Sequence, residues 1–269
     1  MRKLFSVVYS ERKPLAVKAA EHVKKILESR GFRVYVCDAR RVVEEKVPAE
    51  AEAVIVLGGD GTLLRTLRGL SNPETPLLTV NYGKGGYLME VEPNDLEEAV
   101  EALLRGDYLV EEVMQLSFQH GGVRLGEALN EAYISTSIPG KVAELRVEKE
   151  GSTLMETEAD GVVVATPIGS TAYAYSAGGP VVDEKLEAAV LVPVCPLGHV
   201  RAMVLALDSA VHVSMESEEE VQILFDGHFR RVFPEGRLRL EVKASERRVR
   251  FIRIKGGGSF ARRVWKRFG

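Results

Sequence analysis

The stretch Ala-Val-Ile-Val-Leu-Gly-Gly-Asp-Gly-Thr, residues 53–62, decides the fold of the first part of the chain. Its five apolar residues, 53–57, are typical of a strand buried on both faces of a parallel sheet. The glycines around Asp60 let backbone N–H groups approach a ligand, and a helix beginning near Thr62 turns its positive end to the same place. Because open α/β sheets bind ligands at the carboxyl ends of their strands, this turn predicts a phosphate site.

The segments around this turn alternate between strand and helix patterns. We expect strands at residues 4–9, 33–37 and 76–80, with one helix before Gly31 and another over residues 97–104. This alternation predicts an open, parallel-sheet, Rossmann-like α/β domain over residues 1–107.

Beyond residue 107 the apolar residues recur with period two, and helix signals nearly vanish. Strands are predicted at residues 161–165, 190–194, 203–207, 211–215, 238–242 and 249–254. We therefore expect a mainly β domain over residues 108–255. The glycines at 256–258 lead to a basic tail, 256–269, that we expect to pack back on the first domain.

The composition excludes several classes of protein. The net charge of −3 argues against a nucleic-acid binder. No apolar run approaches the roughly 18 residues that a membrane span needs, and the amino terminus lacks a signal-peptide pattern, so we expect a cytoplasmic protein. Two cysteines, Cys37 and Cys195, favour buried thiols over a disulfide framework or a zinc site.

Asp60 is the unusual residue of the glycine turn, because a carboxylate repels phosphates unless it serves a hydroxyl or a metal ion. An aspartate in this position suits a general base that takes the proton of an attacking alcohol. The alternative is a tight turn with an aspartate helix cap.

A second set of residues fits a nucleoside. Residues 166–180 are rich in hydroxyl groups and glycine and follow an apolar strand, and Tyr173 or Tyr175 offers a stacking face. Upstream, Asn130 can pair with an adenine edge, and Glu131 can accept two ribose hydroxyls. A plain loop remains the alternative for residues 166–180.

These runs, together with Asn-Tyr-Gly-Lys-Gly-Gly-Tyr-Leu at 81–88 and Asp-Gly at 160–161, stand in the order found in the NAD kinase family, which the chain resembles over almost its whole length. The resemblance implies a transferase that phosphorylates the 2′-hydroxyl of the adenosine ribose of NAD to give NADP. It also implies ATP or polyphosphate as donor, Mg²⁺ as divalent metal, and a homodimer or homotetramer.

The resemblance also assigns roles to residues. Asp60 is similar to the family's proton acceptor, and the donor phosphate loop is Gly58, Gly59, Gly61 and Thr62. The residues that the resemblance places on NAD are Gly61, Arg65, Asn130, Glu131, Lys141, Asp160, Thr171, Ala172, Tyr173, Ala174, Tyr175, Ser176 and His228. Three places depart from the family's pattern: Ile168, Glu158 and residues 85–87.

Three other functions remain open from the sequence. A lipid kinase or a phosphofructokinase shares the glycine-aspartate turn, although residues 81–84 differ from the lipid kinase pattern and residues 166–176 do not suit a sugar phosphate. A non-catalytic dinucleotide sensor is the third, but binding alone does not require a carboxylate beside phosphates.

Overall fold

A computed structural model describes residues 2–254 and 260–269 of the chain. The strands are β1 (Leu4–Tyr9), β2 (Arg33–Asp38), β3 (Ala51–Gly58), β4 (Leu77–Asn81), β5 (Tyr108–His120), β6 (Val123–Ala128), β7 (Glu131–Thr136), β8 (Ala143–Lys149), β9 (Ser152–Ala159), β10 (Gly161–Ala165), β11 (Ala188–Val194), β12 (Met203–Ala206), β13 (Val211–Glu216), β14 (Val221–Phe225), β15 (Phe229–Phe233) and β16 (Arg237–Ile254). The helices are α1 (Pro14–Ser29), α2 (Val42–Glu45), α3 (Asp60–Gly69), α4 (Leu96–Arg105), α5 (Tyr173–Ser176) and α6 (Phe260–Phe268).

The chain divides into two compact units. Unit 1 comprises Met1–Val113 and Arg248–Gly269, and unit 2 comprises Met114–Arg247. We expected the divisions after residues 107 and 255. The second one falls instead inside β16, which continues through the segment where we predicted two separate strands, 238–242 and 249–254. Charged residues between those two apolar runs suggested a turn, but they alternate with buried residues such as Ser245 and Val249 along one extended strand.

Unit 1 is an open parallel sheet with strand order β2-β1-β3-β4, followed by the last part of β16. Helices α1 and α4 cover it, because each buries an apolar stripe that ends in Leu27 and Leu103 respectively. Strand β3 is buried at seven of its eight residues. The predicted α/β architecture is confirmed, and α3 begins at Asp60, two residues before the predicted start.

Unit 2 is built almost entirely of antiparallel strands. One sheet has the order β12-β11-β10-β7-β14-β15, and the other contains β13, β8, β9 and the first part of β16, with β5 and β6. Its largest buried cluster draws on both sheets, with Ile134 and Val162 from one and Leu145 and Leu240 from the other. The predicted mainly β domain is therefore confirmed.

Three smaller expectations can also be compared with the structure. Cys37 is buried as predicted, but Cys195 is exposed, so the expectation of two buried thiols is wrong for Cys195. Among residues 2–254 and 260–269, no helix is long and apolar enough to cross a membrane. The glycines at 256–258 lie outside the described residues, while α6 beyond them belongs to unit 1.

Candidate functional site

The turn between β3 and α3 is closed by contacts that exclude side chains. A Cβ on Gly58 would lie 2.2 Å from Oγ1 of Thr62, and a Cβ on Gly59 would lie 3.4 Å from Cα of Gly83. The Thr62 hydroxyl in turn accepts the N–H of Gly59 at 3.4 Å. The glycines at 58 and 59 therefore pack the turn tightly against its surroundings, and Gly61 stays exposed at the start of α3.

The Asp60 carboxylate holds a second loop of unit 1. Its Oδ2 accepts the backbone N–H of Tyr87 and its Oδ1 that of Leu88, each at 3.0 Å. Burial raises the pKa of Asp60, while these two bonds and the cations Arg267 and Lys266 oppose that rise. An ionised carboxylate has about four lone pairs, so each oxygen keeps capacity for one more donor.

The loop at residues 81–88 lies against the glycine turn. Tyr82 donates its N–H to the Gly58 carbonyl at 2.6 Å, and Gly83 donates its N–H to Oδ1 of Asn81 at 3.0 Å. A Cβ on Gly83 would come within 3.0 Å of Cα of Gly59. Because β3 and β4 both end here, the two loops form one surface at the carboxyl edge of the parallel sheet, as the sequence predicts.

Arg65 lies half-buried on α3, between one and two turns beyond Asp60. It makes no hydrogen bond or ion pair with the described residues. Its guanidinium is therefore available to an anionic ligand, and the role of Arg65 as an NAD contact stays a prediction.

In unit 2, Asp226 fixes the backbone at the start of β7. Its carboxylate accepts the N–H groups of Leu129, Asn130 and Glu131 at 3.0, 2.8 and 3.2 Å. Asp226 itself has a positive φ of 48°, a conformation that aspartate and asparagine tolerate better than most residues. The Asn130–Glu131 pair is thus held by a residue 95 or more positions away in the sequence.

Glu131 is buried, yet one of its oxygens, Oε2, has no hydrogen-bond partner among the described residues. Burial and the charge of Asp226 raise the pKa of Glu131 from its ordinary 4.5 to about 7, against the effect of a hydrogen bond from the Tyr173 backbone. A buried carboxylate oxygen without a partner costs free energy, and a ligand hydroxyl would supply the missing donor.

The segment 166–176 lies directly on Asn130. The Thr166 hydroxyl donates to the Leu129 carbonyl at 2.6 Å, and a Cβ on Gly169 would lie 2.0 Å from the Asn130 carbonyl oxygen. The segment is not irregular, since it forms a 3-10 turn, Ile168–Thr171, and then α5. The rings of Tyr173 and Tyr133 pack edge to face, with 5.2 Å between their centroids. Tyr173 stays 39% exposed, which leaves room for a planar ligand on its ring.

Several other predicted site residues lie at this same end of β7. Ala172 is half-buried, Ser176 and Tyr175 are exposed on α5, and the His228 ring meets the Asp226 carbonyl. Ala174 has its side chain in the buried cluster with Val163, so a ligand could meet only its backbone. Thr171 directs its hydroxyl to the Ile168 carbonyl at 3.2 Å.

Asp160 and Lys141 lie at the opposite end of β7. Asp160 precedes β10, whose Gly161 pairs with Ser135, while Thr166 follows β10 beside Asn130. Five strand residues separate the two ends, a distance of about 17 Å. Lys141 faces Glu219 at 3.9 Å in the loop after β7. The structure therefore does not bring these two residues together with Glu131 within unit 2.

Two features were missed or misjudged from the sequence. Asp226 did not appear among the predicted site residues, although the Asp-Gly pair at 226–227 signals a tight turn. Ile168, one of the departures from the family's pattern, is only 2% exposed, so its side chain packs inside the protein. Glu158 is exposed on β9 and pairs there with Glu144.

No group of three or more His, Cys, Asp or Glu side chains that could hold a metal ion occurs in residues 2–254 and 260–269.

Comparisons with known proteins agree with both units. Residues 6–108 match the family model of the ATP-NAD kinase N-terminal domain, and residues 129–254 match that of the ATP-NAD kinase C-terminal domain. A protein from Methanopyrus kandleri named NAD kinase is 41% identical over 219 residues, covering 79% of each chain. One of the same name from Thermococcus sibiricus is 34% identical over an alignment of 274 residues, covering 98% of this chain and 96% of that one.

Solved structures show the same similarity. An NAD kinase from Archaeoglobus fulgidus in complex with ATP has a TM-score of 0.75 and 28% identity and covers 94% of both chains. Yeast NADH kinase complexed with NADH has a TM-score of 0.77 at 19% identity, covering 94% of this chain and 83% of that one, and supports the fold alone.

Proposed function

We infer that Asp60 accepts the proton from the 2′-hydroxyl of the adenosine ribose of NAD. This chain belongs to the NAD kinase family and is a kinase that phosphorylates that hydroxyl to give NADP. The observation that carries this role is the Asp60 carboxylate. It is fixed by two backbone N–H groups at the carboxyl edge of the sheet, and each oxygen still has a free lone pair.

The proposed reaction is an in-line phosphoryl transfer. The ribose 2′-oxygen attacks the terminal phosphorus of the donor, the bond from that phosphorus to its bridging oxygen breaks, and the shortened donor leaves with the bonding electrons. The proton of the 2′-hydroxyl moves to Asp60. Because burial raises the pKa of Asp60, this carboxylate is a stronger base than an ordinary one and suits the transfer.

The glycine turn serves the donor in this proposal, and Arg65 on the helix that follows it is proposed as an NAD contact. Gly59 and Gly61 carry no side chain that would obstruct the donor's phosphates, and the positive end of α3 lies at the same point. Arg65, without an ion pair of its own among the described residues, adds a positive charge.

Unit 2 binds the adenosine in this proposal. The unpartnered Oε2 of Glu131 accepts a ribose hydroxyl, Asn130 pairs with the adenine edge, and Tyr173 stacks on the base. The remaining NAD contacts proposed from the resemblance are Gly61, Arg65, Thr171, Ala172, Ala174, Tyr175, Ser176 and His228. Asp160 and Lys141 are proposed to meet a different part of the dinucleotide, because they lie at the other end of β7.

ATP is the donor that the names of the matched family models indicate, and polyphosphate is proposed as an alternative donor. Mg²⁺ is proposed as the divalent metal, which would offset the charge of the donor's phosphates. We further propose a cytoplasmic homodimer or homotetramer on the family resemblance, and sedimentation at micromolar concentration that gave only monomer would contradict the oligomer.

An activity grid tests the function. Purified protein is incubated with ATP or polyphosphate and Mg²⁺, each against NAD, diacylglycerol and fructose 6-phosphate. We expect NAD to be the only one of the three acceptors that gives a phosphorylated product. NAD binding by calorimetry without any NADP formation would favour a sensor instead.

A further inference from the structure

The carboxyl-terminal helix α6 belongs to unit 1, where the charges of its Lys266 and Arg267 lower the pKa of Asp60. It lies beyond residue 254, where the matched family model ends. Nine residues long, it carries the cations Arg262, Arg263, Lys266 and Arg267 and faces a cavity of about 580 Å³. The opposite wall of this cavity contains residues 85–87, Glu90 and Glu92.

Two of the helix cations meet acidic residues of that wall. Lys266 forms an ion pair with Glu92, and Arg263 lies close enough to Glu90 for its charge to lower the pKa of that residue, against the larger effect of burial. The Glu90 side chain is only 4% exposed and also binds Arg253 at 2.9 Å, so it connects this wall to β16. These contacts hold α6 in place.

Arg267 differs from its neighbours on α6. It makes no ion pair or hydrogen bond with the described residues, and its Nη1 lies 3.8 Å from the position of a Cβ on Gly85. The loop containing Gly85 is the one that Asp60 holds through Tyr87. A charged guanidinium therefore lies on the loop beside the candidate base. Its charge lowers the pKa of Asp60, but it forms no ion pair or hydrogen bond with a carboxylate of the described residues.

We propose that Arg267 binds the phosphate chain of the phosphoryl donor and offsets its charge next to Asp60. This assignment rests on the proposed role of Asp60. The Asp60 carboxylate repels the terminal phosphate of the donor. The site therefore needs a positive charge on the side of that phosphate away from Asp60. The planar guanidinium suits phosphate oxygens because its N–H groups bind two of them at once, and it stays charged at any working pH.

The chain's one tryptophan allows a test that does not depend on turnover. Trp265 is 75% exposed, lies on α6 and lines the same cavity. Titration of the full chain with inorganic tripolyphosphate, without NAD, should give a saturable change in its fluorescence. In Arg267→Gln the dissociation constant should rise about tenfold, the usual size for loss of a charge-assisted hydrogen bond.

Kinetics supply the second readout. Arg267→Gln should raise the KM for the donor about tenfold and leave the KM for NAD within about twofold, while Arg267→Lys should lie between. The matched control is Arg105→Gln, an exposed arginine at the end of α4 outside the cavity, which should change neither constant.

Three results would overturn the proposal: an unchanged tripolyphosphate affinity in Arg267→Gln, an equal rise in both KM values, or a higher kcat, which would make α6 an inhibitory strap. Its failure is distinguishable from failure of the Asp60 assignment. The fluorescence titration contains no acceptor, whereas the role of Asp60 is tested by the kcat of Asp60→Asn.

Discussion

The two candidate regions use their carboxylates in opposite ways. In unit 1, Asp60 accepts two backbone N–H groups, so the proposed proton acceptor also holds its loop. In unit 2 these tasks are separated. Asp226 holds the backbone through three N–H groups, and Glu131 keeps an oxygen without a partner. The difference suggests that unit 1 is complete before substrate arrives, whereas unit 2 is completed by it.

The largest stability effect should come from Asp226→Ala. It removes the acceptor of three buried N–H groups and places alanine at a positive φ, so the free energy of unfolding should fall by about 3 kcal/mol or more. Chemical denaturation measures this. Asp226→Asn keeps an acceptor and tolerates the backbone conformation, so it should lose clearly less. Equal losses in the two variants would show that the hydrogen bonds do not hold the Asn130–Glu131 segment.

Glu131→Gln should give the second-largest effect on the free energy of unfolding, and the size of this effect depends on pH. Because the pKa of Glu131 is raised from 4.5 to about 7, the folded chain keeps a proton that the unfolded chain has released, and stability falls as pH rises from about 4.5 to 7. The glutamine variant lacks this loss. Its stability relative to the native chain should therefore rise across this range, by up to about 3 kcal/mol.

The same titration should control NAD affinity. A ribose hydroxyl donates best to the ionised carboxylate, so affinity should fall as the pH decreases from 8 to 6, and Glu131→Gln should bind weakly at both values. Calorimetry of NAD binding at pH 8 and at pH 6 measures this change in affinity. Affinity without pH dependence in the native chain, or unchanged affinity in the variant, would remove Glu131 from the proposed NAD site.

The smallest effect belongs to Ile168→Thr, which restores a residue common in the family. Because Ile168 is buried, we expect a loss of about 1–2 kcal/mol in unfolding free energy but a KM for NAD within about twofold. Ile168→Val, which keeps an apolar side chain, should lose less. A several-fold change in the KM for NAD at full stability would show that position 168 contacts the dinucleotide.

Local features were predictable where one segment determines them. The apolar run of β3, the glycine turn and the strand positions around them follow from patterns within a few residues of one another. The continuity of β16 was not predictable, because charged residues on the exposed face of a long strand resemble a turn.

Partners distant in sequence were also inaccessible. Nothing near Asn130 indicates that Asp226, about 95 residues later, holds its backbone. Likewise, the basic tail was expected to pack back on the first domain, but its sequence does not indicate that Lys266 meets Glu92 beside the Asp60 loop. Such contacts depend on the sheet order that brings the segments together, which no local pattern specifies.

The contrast between the carboxylates of units 1 and 2 depends most on the proposed role of Asp60. The variant Asp60→Asn tests that role most directly. The variant keeps the side-chain shape and one acceptor for the loop, so its NAD dissociation constant should stay within about twofold and its circular dichroism should be unchanged. Its kcat should fall by roughly a hundredfold or more, because the base is lost. A folded variant with a kcat within about tenfold of the native chain would contradict the assignment of Asp60 as proton acceptor.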